Sequence, residues 1–251
     1  MPIWLESGLW GLLGGAALVI GALVAWFVRV PQSVIASVMA FGSGVLISAV
    51  AFDLVLEAER TGGLLPTAIG FLGGALAYVG ANALLARRGA RHRKHPGDRQ
   101  TSEGEQDGSG VAIAVGALLD GIPESVVLGI SLLSGGGVSM SMLAAVFISN
   151  VPEGLSSAAG MKRNGRSAAY VFGVWGGIAV TSGLAALVGS LVLDRAAPEL
   201  IAVITAVAAG AILTMIADTM IPEAFEETHA WTGVITTIGF LVAFAIDVVG
   251  S

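Results

Sequence analysis

The chain has no cysteine. Disulfides, thiolate metal sites and cysteine nucleophiles are therefore excluded. Histidine is almost as scarce: His92, His95 and His229 are the only three in 251 residues, so a metal site inside a membrane would have to be built mainly from oxygen. Charged residues make up 12% of the chain, against about 25% in a soluble domain. That is too little charge to coat a surface facing water. No stretch alternates polar and apolar residues with period two, which argues against an outer-membrane barrel. What the chain has instead is 55% hydrophobic residues and a mean hydropathy of +0.86. It reads as an all-α integral membrane protein with the lipid bilayer as its main partner. The net charge of −6 is spread by loop and gives no reason to expect nucleic acid.

Windows of about 20 apolar residues qualify as spans. They place eight, near 7–28, 33–55, 64–86, 110–132, 138–160, 168–191, 198–221 and 230–249. The whole of 1–251 is then one transmembrane domain. The first run has no basic residue before it, so it is expected to be a retained span rather than a signal peptide. Turns are marked by Pro31, Gly62-Gly63, Ser134–Gly137 and Ala197-Pro198. The one long connection, 87–109, is basic and then acidic and Gly/Ser-rich, the composition of a disordered cytoplasmic loop.

Lysine and arginine fall unevenly between the two sets of loops. One set holds Arg29, the six basic residues of 87–99, Lys162, Arg163 and Arg166, and the other holds Arg60 and Arg195, ten against two. The positive-inside rule then puts both termini on the extracytoplasmic side. A short internal echo, Ala51–Ala58 against Ala217–Ala224, suggests an inverted repeat of three helices, a central pair and three more.

Two further segments echo each other at mid-span: Asp120-Gly-Ile-Pro-Glu124-Ser and Ser149-Asn150-Val-Pro-Glu153-Gly. A carboxylate at bilayer depth is expensive and marks an ion or substrate pathway by default. Asp120 and Glu124 are four apart, and Asn150 and Glu153 three apart, so each pair lies along one helix face. Two such ladders on neighbouring antiparallel helices could wrap a divalent cation. A mid-helix proline also frees a backbone carbonyl, and broken backbone at this depth survives only where it is buried or lines a cavity. Asp53 and Glu57 would line an outer vestibule. Asp218 would serve as a further ligand and Glu223 as part of an inner exit.

At these residues the chain resembles the ZIP family of divalent-metal transporters, the zinc/iron permeases. The family's span four commonly reads His-Asn-x-Pro-Glu-Gly and span five a related Pro-Glu motif. Its span seven often ends in a form that Asp218-Thr-Met-Ile-Pro-Glu223 approaches. The resemblance implies inward transport of a divalent ion through a site between spans four and five, with zinc as the default cargo and no prosthetic group. The ligand set departs from the family pattern. Asp120 stands where a histidine is usual, Gly121 for the asparagine, Ser149 at the first span-five position and Thr219 for the span-seven acid, with Val180-Thr181 near the usual span-six glutamate. One metal site is therefore expected rather than two. Oxygen ligands favour harder ions, which brings Mn²⁺ into consideration beside Zn²⁺ and Fe²⁺. The expected setting is a bacterial plasma membrane, crossed several times, and a homodimer is left open. Two other functions compete. One is an intramembrane aspartyl protease pairing Asp120 with Asp218. The other is a metal sensor or scaffold that does not transport.

Overall fold

The computed structural model describes residues 1–90, 109–132 and 140–250, and their regular structure is helical throughout. Eight rods follow one another: α1 (Ile3–Phe27), α2 (Gln32–Gly62), α3 (Leu64–Leu85), α4 (Ser109–Ser131), α5 (Met140–Arg163), α6 (Ala168–Leu193), α7 (Pro198–Thr228) and α8 (Trp231–Gly250). Among the described residues, seven helices are long and apolar enough to cross a membrane. The remaining rod is α5, 24 residues long, whose centre is taken up by Ser149, Asn150, Pro152 and Glu153. The protein is an all-α, multi-pass membrane protein.

Local chemistry sets the ends. Ser167 caps α6 by accepting a hydrogen bond from the Tyr170 amide at 3.2 Å. Pro31 precedes α2, and Pro198 opens α7 with its fixed φ and no amide to leave unsatisfied. Gly63 (φ 79°) stops α2, and His229 (φ 46°) stops α7. A π turn over Ala86–Ala90 prolongs α3 and buries Ala90, so the first residues of the loop expected over 87–109 are helical. Positions 91–108, with His92 and His95, and the Ser134–Gly137 turn lie outside the described residues.

Two span boundaries move. The runs expected to finish near 55 and 221 continue to Gly62 and Thr228. In each, a π turn lies where the sequence turns polar: Val50–Val55 in α2 and Ile216–Met220 in α7. At 31 residues each, both helices extend to roughly 46 Å at 1.5 Å per residue, longer than the ~30 Å hydrocarbon core.

Packing pairs come in matched sets. Helix α1 lies along α6 and α5, α4 along α6, α2 along α5 and α8, α7 along α4 and α3, and α2 meets α7. Exchanging α1 with α6, α2 with α7, α3 with α8 and α4 with α5 turns this set of contacts into itself. Three local features also recur 166 positions apart. They are a glycine pressed on a neighbouring carbonyl (44 and 210), the start of a π turn (50 and 216) and a positive-φ stop (63 and 229). Helices α4 and α5 approach each other at few points.

Candidate functional site

Asp120, Glu124, Ser149, Asn150 and Glu153 are all buried, none more than 4% exposed. They occupy the middles of α4 and α5, which run 23 and 24 residues. An aspartate at the centre of a membrane helix costs roughly 2.5–3.5 kcal/mol even on the mildest insertion scale. Their position is therefore held against a substantial penalty. The helices run through Pro123 and Pro152 without interruption, so the expected break in the backbone does not occur. Each proline removes one amide donor and the coil continues on both sides.

On α4, Asp120 Oδ1 accepts a hydrogen bond from the Tyr78 hydroxyl of α3 at 2.6 Å. Both residues are 2% exposed, so the bond is shielded from water. Ser125, one residue past Glu124, donates to the Gly121 carbonyl at 2.7 Å. On α5, Asn150 Nδ2 donates to the Gly14 carbonyl of α1 at 3.0 Å, and Ser149 donates to the Val146 carbonyl at 3.0 Å. The Asn150 amide nitrogen thus ties α5 to α1. By helical spacing Ser149, Glu153, Ser156 and Ser157 share a face of α5, and all four are buried.

The carboxylates of α2 and α7 divide. Glu223, expected near a span end, is 6% exposed, because α7 continues past it to Thr228. Asp218 is exposed on the α7 π turn, whereas Asp120 is buried beside Tyr78. These two carboxyls do not share the single environment that a proton-sharing dyad requires. Asp53 is half-buried and Glu57 exposed. Both line a cavity of about 790 Å³ together with Arg60, Asp247 and Thr205. Asp247 reads from the sequence as terminal surface. It faces this cavity because α8 packs along α2 for much of its length.

Among the described residues, every buried side chain of formal charge is a carboxylate. No three Asp, Glu, His or Cys side chains among them gather as a metal centre requires. The interior is therefore a series of acidic and hydroxyl positions, without a finished cage of charged ligands. Tyr78, Ser156 and Ser157 are the members that motif reasoning missed. The available signal for Tyr78 was its place, one of two tyrosines in the chain, on the buried Thr67, Gly70, Gly74, Tyr78 stripe of α3.

Comparison with known proteins yields no family model that matches this chain and no curated protein that matches it.

Proposed function

We propose that this chain carries a divalent cation across a plasma membrane through the interior between α4 and α5, as its resemblance to the ZIP family implies. The observation that carries the reading is the burial of Asp120, Glu124 and Glu153 at the middles of α4 and α5. Acidic groups at that depth are well suited to an ion that offsets their charge. In this reading the cation is cargo, and no enzyme chemistry is assigned. Glu124 and Glu153 supply charge, Asp120 adds a carboxylate anchored by Tyr78, and Ser149 and Asn150 contribute neutral oxygens. Asp53 and Glu57 gather cations at the cavity mouth, and Glu223 and Asp218 continue the path on α7. An oxygen-rich path admits Mn²⁺ and Fe²⁺ beside Zn²⁺.

The same reading has α5 as an eighth crossing, both termini on the extracytoplasmic side and a 3+2+3 inverted repeat. The matched packing pairs and the features repeated at 44/210, 50/216 and 63/229 support that plan. The protease alternative is disfavoured by the separate surroundings of Asp120 and Asp218.

Purified protein in sealed liposomes tests the proposal. Uptake of zinc or manganese isotope is expected, with loss of at least about ten-fold, some 1.4 kcal/mol, in Glu124→Gln and in Glu153→Gln. Full uptake by both variants would end the reading. Metal binding by the intact protein without uptake would favour the sensor.

A further inference from the structure

The end of the bundle away from the acidic cavity holds a second recess, of about 370 Å³. Its charged lining is Arg29, Lys162 and Arg163, with no carboxylate, and its walls include the apolar Ile35 and Ala159. Three pieces of chain build it: the end of α1 with the linker after it, the first turn of α2 and the end of α5. Lysine and arginine side chains are exposed here, yet two of the three are held in place. Lys162 Nζ donates to the Trp26 carbonyl at 2.5 Å and lies 5.3 Å from the centre of that indole ring. With its amide turned to satisfy both neighbours, Gln32 accepts from Arg163 Nη1 at 2.7 Å and donates to Glu227 Oε1 at 3.3 Å. Glu227 does not line the recess.

The start of α2 lies beside the recess. Pro31 offers it no side-chain cap, and its first turn contains no acidic residue. The Glu227 carboxylate, one hydrogen bond from Gln32, is the negative charge at this end of α2, and the Val34 and Ile35 amides donate to the Pro31 carbonyl. Of the first turn only Ile35 lines the recess, so its fit to phosphate comes from the three cations that share one walled volume. Phe27 and Val28 stand exposed beside it at 75% and 55%, apolar surface of the sort an acyl chain covers.

We propose that this recess binds a phosphate group, presented by an anionic phospholipid headgroup or by the free ion. The site does not depend on the transport reading, and its test does not use transport. Purified protein in a neutral detergent is mixed separately with short-chain phosphatidylglycerol, phosphatidylcholine and inorganic phosphate, and thermal unfolding and bound lipid by native mass spectrometry are read out. Phosphatidylglycerol should raise the midpoint and remain bound where phosphatidylcholine does not. If inorganic phosphate alone gives the same rise, the free ion is the ligand; if only phosphatidylglycerol does, it is the lipid. Arg29→Gln should weaken binding about five-fold, the scale of one basic residue at a membrane surface. Arg88→Gln removes one charge from the same end outside the recess and should leave binding intact. Equal loss in both variants would show diffuse attraction and overturn the site, as would no response to either phosphate compound.

Discussion

Tyr78 gives its hydroxyl to Asp120 across two helices, and this bond shows how much of the interior depends on single atoms. Hydrogen bonds to charged groups contribute about 1.5–3 kcal/mol, so Tyr78→Phe should release the carboxylate from a fixed orientation while preserving the packed ring. If Asp120 touches the cargo, the variant should show a KM for the transported cation raised about ten-fold, the equivalent of 1.4 kcal/mol. Its amount in the membrane should be unchanged. Concentration-dependent uptake in liposomes checks this, and an unchanged KM would leave the bond a purely structural tie. Asp120 was legible in the sequence because a carboxylate amid apolar residues stands out. Tyr78 was not, because its partner is 42 positions away and its own helix is otherwise mostly exposed.

At the scale of elements, close helix approach is what glycine permits. A Cβ at Gly154 of α5 would overlap the Leu18 carbonyl of α1, and one at Gly21 of α1 would overlap the Val151 carbonyl of α5. Small residues of this kind let membrane helices meet backbone to backbone. Gly154→Ala should therefore lower the thermal midpoint of purified protein, with overpacking costing about 1–3 kcal/mol. Gly173→Ala, whose added methyl meets nothing within 4 Å, should leave the midpoint in place; equal shifts in both would refute the packing account. The helices themselves were legible from apolar run length, and their turns from Pro31, Gly63 and Pro198. The continuation of α2 and α7 past their polar turns was not. A hydropathy window ends where Asp53 or Asp218 enters it, whereas the backbone carries on through a π turn, a feature common at functional sites. Which of the many glycines face a neighbour was hidden too, since that depends on helix rotation rather than on composition.

At the scale of the molecule, the absence of cysteine makes its orientation directly measurable. Cysteines placed singly at Ser33 and at Arg195, both exposed, should react with a membrane-impermeant maleimide from opposite faces of the bilayer. In intact cells only the Arg195→Cys variant should be labelled, and labelling of both from outside would contradict the topology inferred from lysine and arginine. The two recesses also differ in sign along the long axis. One carries Asp53, Glu57 and Asp247 against Arg60, the other Arg29, Lys162 and Arg163. Such fields raise or lower the local ion concentration and the rate of encounter. If the protein carries a cation as proposed, vesicles that display the acidic cavity outward should load it faster at low salt than vesicles of the reverse insertion. Raising ionic strength should shrink that difference, because it belongs to the approach of the ion and not to its passage.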